Sequence, residues 1–258
     1  MSGQISGYFP DGHWQGPVIY LVVAGFLASL ARGFSGFGGA LIFMPLASAA
    51  VGPQIGAPIL LVVDGIIQVG LLRNAWRQAR RREVAIMGLG ALVGIPLGTL
   101  LLTHLDPTGL RWFIAILILA MLALLMSGWR YHGRPTPRVT LGVGLAAGFL
   151  SGVAQAAGPP VVAYWLGGQT APVTIRANII LFFLCTSVVA SASYLVAGLF
   201  GREVLLLSAI TAPGYALGMY LGTRMFGLAS ELMFRRICFG LIAAAALISL
   251  PVLDSILR

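Results

Sequence analysis

Long apolar runs separated by short polar or basic tracts fill this chain, and their lengths predict helices that cross a bilayer. Segments 84–103, 112–129, 177–201, 204–223 and 237–253 are apolar and uncharged, so each reads as a simple span. Segment 55–72 has the same character but carries Asp64 and Gln68. Segments 17–50 and 139–166 differ, because small and flexible residues interrupt both. The first holds Arg32-Gly33-Phe34-Ser35-Gly36-Phe37-Gly38-Gly39; the second holds Ser151-Gly152-Val153-Ala154-Gln155-Ala156-Ala157-Gly158-Pro159-Pro160. One helix over 17–50 would be about 50 Å long, against a hydrocarbon core of about 30 Å. Each of these segments therefore predicts two short helices joined by irregular backbone near the middle. Such backbone survives at membrane depth only when protein covers it or it lines a wet cavity.

The two halves repeat each other. Ala24-Gly25-Phe26-Leu27 recurs as Ala147-Gly148-Phe149-Leu150, Arg82-Glu83-Val84 as Arg202-Glu203-Val204, and Leu97-Gly98-Thr99 as Leu221-Gly222-Thr223. Arg111, opening one span, corresponds to Arg235 near the head of the last. All four pairs keep their order at separations of roughly 120 residues, which points to an internal duplication of the kind found in transporters. The expected organisation is a first transmembrane repeat at 14–129, a cytoplasmic linker at 130–138 and a second repeat at 139–253. If each broken segment crosses once, the halves point the same way. If each is a re-entrant hairpin, or crosses twice, the halves are inverted. The tract from Arg73 to Arg82 and the linker with Arg130, Arg134 and Arg138 are strongly basic and separated by two spans, so both are expected in the cytoplasm. The neutral loop at Arg202-Glu203, set against the basic one holding Arg224, Glu231, Arg235 and Arg236, favours inversion. The fold expected is thus an all-α polytopic membrane protein. It has about eight transmembrane segments in two homologous, inverted halves, with a broken or re-entrant first helix in each.

Composition narrows the classes further. Of 258 residues 59% are hydrophobic and only 9% charged, which leaves no stretch for a separate soluble catalytic domain. The net charge of +9 comes from arginines beside apolar runs, not from basic residues interleaved with exposed aromatics, so nucleic acid is not an expected partner. Cys185 and Cys238 lie in apolar runs without metal or CxxC spacing, and no motif implies a metal or a cofactor. Residues 1–14 lack the positive start of a signal peptide, so the first apolar helix is expected to direct insertion. The lipid bilayer is the expected environment, and assembly of more than one copy is left open.

Candidate chemistry gathers at the two breaks. A half-helix that starts inside a membrane presents unpaired N–H groups and the positive end of its dipole, which suits an anion. Gly38 and Gly39 precede one such helix, and Gly158, Pro159 and Pro160 precede the other. The substrate-binding set expected on this basis is Arg32, Ser35, Gly36, Gly38, Gly39, Gln155, Gly158 and Pro159. The plainer reading of the glycines is close helix packing. A charge inside a span costs about 2.5–3.5 kcal/mol on insertion scales, so Arg32 should meet a partner or a cavity. It is an anion ligand, the permanent partner of Asp64, or a residue near the interface whose side chain snorkels to the surface. Asp64 is the single acid deep in a predicted span and could carry a proton, balance Arg32, or serve as a neutral hydrogen-bonding acid. Gln68, Asn178, Thr186 and Ser187 are candidates to line a path, or are helix–helix hydrogen bonds.

These features favour a small-anion transporter working by alternating access. A passive anion channel or a membrane scaffold is the alternative. An intramembrane serine hydrolase is weaker: Gly33-Phe34-Ser35-Gly36 is similar to the serine motif of rhomboid proteases, but His13, His104 and His132 all fall in terminal or loop regions.

Gly36-Phe37-Gly38-Gly39 followed by Pro45-Leu46, with Gly148-Phe149-Leu150-Ser151-Gly152 and Gly158-Pro159-Pro160 as a weaker second copy, resembles the sulfite exporter TauE/SafE family. The resemblance covers nearly the whole chain. It implies a multi-pass bacterial inner-membrane permease for small sulfur-containing anions such as sulfite or organosulfonates. The second half departs from the family pattern at Ala154-Gln155-Ala156-Ala157, and Arg32 is an addition to it.

Overall fold

In the computed structural model the described residues are 15–70, 72–133, 136–168, 170–225 and 231–253, and among them the chain is helical throughout with no strand. The expectation about a signal sequence falls on residues 1–14, outside the described residues. In order the helices are α1 (Gln15–Ser35), α2 (Gly39–Val51), α3 (Pro53–Val69), α4 (Leu72–Gln78), α5 (Arg81–His104) and α6 (Pro107–Ser127). After the linker come α7 (Pro137–Ala154), α8 (Gly158–Trp165), α9 (Pro172–Val196), α10 (Arg202–Met225) and α11 (Glu231–Ile248). Proline opens α3, α6, α7 and α9, where its missing N–H has no intrahelical acceptor to lose. The Asp106 carboxylate caps α6 by accepting the Gly109 N–H at 2.7 Å.

Among the described residues, six helices are long and apolar enough to cross a membrane: α1, α5, α6, α7, α9 and α10. Stretches Gly39–Val51, Pro53–Gln68 and Arg236–Ile248 are apolar but shorter. The broken segments correct the expectation of two short helices in each. α1 has 21 residues and α7 has 18, about 32 and 27 Å, so each is long enough to cross by itself and only α2 and α8 are short. The reason is local. Nothing disrupts α1 until Gly36 and Gly38 turn to φ of 80° and 93°, and α7 continues until Gln155 takes a left-handed φ of 53°. Arg32 accordingly lies in the last turn of α1 rather than at the middle of a helix. The tract after Leu72, expected as a loop, is partly folded as α4.

The two most extensive helix pairings are α5 with α7 and α1 with α10. Both seams are lined with glycine at four-residue spacing: Gly90, Gly94 and Gly98 on α5, and Gly214, Gly218 and Gly222 on α10. A Cβ on Gly94 would strike the Leu145 carbonyl, and one on Gly218 would strike the Ser29 hydroxyl and the Phe26 carbonyl. Without side chains the backbones come into direct contact, which supplies dispersion attraction where lipid removes the hydrophobic drive for association. Contacts along each seam advance together: Gly90 meets Leu141, Gly94 meets Leu145 and Gly98 meets Phe149, so α5 and α7 run the same way. Likewise Gly214 meets Val22, Gly218 meets Phe26 and Gly222 meets Leu30, so α1 and α10 are parallel.

Other contacts tie helix ends together. The Arg80 N–H donates to Asn178 Oδ1 at 2.7 Å, holding the start of α9 near the start of α5. The Tyr131 N–H donates to the Ala163 carbonyl at 3.0 Å, bringing α8 back to the linker. Arg111 Nη2 donates to the Ser249 carbonyl at 3.1 Å, placing the end of α11 against the start of α6.

Gly94→Leu and Gly218→Leu must push their helices apart, and each should lower stability by at least about 1–3 kcal/mol. Gly88→Leu is the matched control, because a Cβ there meets nothing within 4 Å. Thermal unfolding followed in detergent should show a marked fall in Tm for the first two variants and little change for the third.

Candidate functional site

Arg32 and Asp64 form an ion pair deep in the protein, with Arg32 Nε at 2.8 Å from Asp64 Oδ1 and both side chains close to nine-tenths buried. Two more groups donate to the same carboxylate. Gln68 Nε2 reaches Oδ2 at 2.6 Å from one turn further along α3, and the Tyr215 hydroxyl on α10 reaches Oδ1 at 2.8 Å. Three donors satisfy a buried carboxylate that would otherwise be expensive to hold ionised. Arg32 uses only its Nε in this pair. Among the described residues Nη1 and Nη2 make no hydrogen bond, and the guanidinium carbon lies 5.6 Å from the centre of the Phe183 ring. An arginine held in this way keeps the planar two-nitrogen edge that binds an oxyanion through parallel hydrogen bonds.

These groups face a cavity of about 30 Å³, room for one or two water molecules. Its wall comes from both breaks together with α3 and α9. Arg32, Gly38, Asp64 and Gln68 line it from the first half; Ser151, Gln155, Gly158, Pro159, Phe183, Thr186 and Ser187 line it from the second. The Gln68 Oε1 atom is buried there without a hydrogen-bond partner among the described residues. The Gln155 side chain, in its left-handed turn, donates to the Tyr194 hydroxyl at 3.2 Å, and that hydroxyl donates to the Gly152 carbonyl at 2.8 Å. The first N–H groups of α2 and α8 have no acceptor within their own helices. Pro159 and Pro160 remove two donors from the first turn of α8, so its N–H supply is limited to the residues beside them, Gly158 among them. Gly39 serves another purpose: a Cβ there would lie 3.2 Å from Arg32 Cβ, so glycine lets α2 pass close to the arginine stem.

A second cavity, of about 300 Å³, adjoins the first at Gly38 and is mainly apolar. Phe34, Ser35 and Phe37 line it on one side, and Leu124, Trp129 and Arg130 near the linker line it on the other. Phe37 packs toward Gly158, where the two breaks approach each other.

Of the residues expected from the sequence, Arg32, Gly38, Gln155, Gly158, Pro159, Asp64, Gln68 and Thr186 therefore meet around one small cavity. Ser35 stands outside it, exposed, with its hydroxyl within hydrogen-bond distance of the Ala31 and Phe37 carbonyls and no basic side chain bonded to it among the described residues. Gly36 lies in the exposed turn between α1 and α2. Asn178 is buried away from the cavity, where it accepts from the Arg80 N–H. Thr186 turns its hydroxyl to the Phe183 carbonyl at 2.9 Å. Tyr215, Phe183 and Tyr194 were missed. A tyrosine buried mid-span must find a partner for its hydroxyl, and that rule applied to Tyr215 and Tyr194 would have flagged both.

A multi-pass helical bundle that encloses a charged, partly unpaired polar cavity between two paired helix breaks has the architecture of a membrane transporter. The comparison with known proteins agrees: the model of the sulfite exporter TauE/SafE family matches residues 21–248, and the chain belongs to that family. A protein of Cupriavidus necator described as a probable sulfite/organosulfonate exporter is 28% identical over 236 residues, covering 86% of this chain and 89% of its own. No solved structure matches the chain.

Because Arg32 and Asp64 hold each other, removing one leaves the other buried and unpaired. Arg32→Ala and Asp64→Ala should each destabilise the folded protein by about 3–5 kcal/mol, and Arg32→Met/Asp64→Leu should regain much of that loss. Thermal unfolding of the three variants checks this. A double variant no more stable than the single ones would mean that the pair contributes little beyond its packing.

Proposed function

We propose that this protein exports small sulfur-containing anions, sulfite or organosulfonates, across a bacterial inner membrane by alternating access. The observation that carries the proposal is the arginine whose Nε is fixed by Asp64 while, among the described residues, both Nη groups are left without a hydrogen-bond partner beside a polar cavity. Family membership and the name of the Cupriavidus necator relative support the substrate class.

Two inverted repeats, residues 14–129 and 139–253 joined by a cytoplasmic linker at 130–138, form the moving parts. The parallel course of α1 with α10 and of α7 with α5 supports inversion, since each pairing sets the first helix of one half beside a helix of the other. The links Arg80 to Asn178 and Tyr131 to Ala163 support a re-entrant α7–α8 hairpin that begins and ends on the linker side. In this arrangement α1–α2 and α7–α8 are re-entrant hairpins, and together with the crossings α3, α5, α6, α9, α10 and α11 they make up eight transmembrane segments.

The anion sits between the breaks, its oxygens facing Arg32 Nη1 and Nη2, the first N–H groups of α2 and Gly158, with Gln68 and Gln155 alongside. A cavity of about 30 Å³ is too small for it, so loading requires the walls of the site to part. The wider cavity at Gly38 is the approach from the linker side. An outward-moving anion gains about 2.3 kcal/mol per charge for each 100 mV of a membrane potential negative inside. Asp64 competes with the anion for the same guanidinium. A proton on Asp64 relaxes its hold on Arg32, so anion binding strengthens as pH falls, and the carboxylate is the proposed proton site.

Flux of sulfite and of alkyl sulfonates into proteoliposomes, with and without a pH gradient, tests the proposal. Wild type should show saturable flux that rises with acidification, Arg32→Ala should lose at least about tenfold, and Asp64→Asn should retain flux but lose its pH dependence. Non-saturating flux would indicate a channel, and Arg32→Ala at the wild-type rate would remove the proposed anion site.

A further inference from the structure

We propose that a groove between α4, α5 and α9 seats one acyl chain of an anionic phospholipid, whose phosphate the arginines at the mouth hold. The groove offers about 710 Å³, and among the described residues Arg77 is the one charged residue on its wall. Its depth comes from a missing side chain. Gly88 lies on the floor, with nothing within 4 Å of where a Cβ would stand, while Leu89, Leu92 and Val188 around it are exposed. From Val84 to Leu92 the wall of α5 runs about 12 Å, against about 15 Å for half of a hydrocarbon core. The slot is thus one leaflet deep, and the Arg80 link to Asn178 holds α5 and α9 level at its head.

The mouth carries the matching charge. Arg80 is paired with Glu83 at 3.0 Å, but Arg77, Arg81 and Arg82 are exposed and have no acidic partner among the described residues. Arg81 stacks over the half-exposed Trp76 of α4, 5.2 Å from the ring centre, which anchors the cluster where indoles favour the membrane interface. Basic residues at this level attract anionic headgroups, and the apolar slot beneath takes the chain. A second copy of the protein fits less well, since a two-fold contact here would bring one arginine cluster against its twin.

Native mass spectrometry of the full-length protein in neutral detergent, titrated with phosphatidylglycerol and phosphatidylcholine of identical chains, tests the assignment. Wild type should bind one phosphatidylglycerol with at least about tenfold preference. Arg77→Ala/Arg81→Ala should abolish the preference, and Gly88→Phe, which fills the slot with the arginines intact, should abolish binding of both lipids. Val188→Trp closes the slot from α9 and gives the same reading if Gly88→Phe does not fold. Equal binding of the two lipids to wild type, or phosphatidylglycerol binding that survives the filled slot, would overturn the proposal. So would displacement by glycerol phosphate alone, or a dimer that dissociates in Gly88→Phe, which would give the groove to a second copy.

Discussion

An arginine and an aspartate inside a bilayer can persist only if protein encloses them, and much of this fold follows from that requirement. The hydrocarbon offers no hydrogen bonds, so the carboxylate of Asp64 draws donors from three helices: Arg32 on α1, Gln68 on α3 and Tyr215 on α10. Enclosure in turn demands close approach of α2 to the arginine stem, which Gly39 permits, and of the two breaks to each other, where Phe37 meets Gly158. The result is a charged centre satisfied on the aspartate side and left open on the arginine side. That imbalance, rather than the presence of charge as such, is what suits the cavity to the proposed anion.

The small-residue seams are the mechanical counterpart of the charged centre. Glycine at every fourth position on α5 and α10 removes the side chains that would otherwise space these helices, so the contact is nearly backbone on backbone. Such contacts hold rigidly in one register. The short helices α2 and α8, by contrast, are joined to their neighbours by turns at Gly36, Gly38 and Gln155 that take left-handed dihedrals. Rigid pairs flanking bent, short elements divide the molecule into parts that hold shape and parts that can shift.

Much of this was readable from the residues, and the pattern of what was not is informative. Spans stood out because their apolar runs are long, and the breaks stood out because glycine, proline and charge are conspicuous against an apolar background. Arg32, Asp64, Gln68 and Gln155 were found for the same reason, each being an exception in its helix. Helix ends were harder. Gly33, Gly148 and Gly152 lie near the breaks but serve packing, and only three-dimensional contacts distinguish them from Gly36 and Gly38, which turn the chain. Tyr215 and Phe183 were overlooked because aromatic residues count as apolar in a span, although one hydroxyl completes the aspartate and one ring faces the guanidinium. Asn178 shows the other alternative that the sequence left open: a polar residue in a span whose side chain accepts from a neighbouring chain end.

The pairing of α1 with α10 has a consequence for how the protein is made. α7 follows α5 closely along the chain, so that seam can close soon after the ribosome delivers it. α1, however, must wait for α10, which begins at Arg202. At about 5–20 residues per second the interval is roughly 10–30 s, during which the glycine-notched face of α1 lies in the membrane without its final neighbour. For that time the nascent chain is the most vulnerable form of this protein, and a membrane insertase or chaperone that shelters α1 would act within that window.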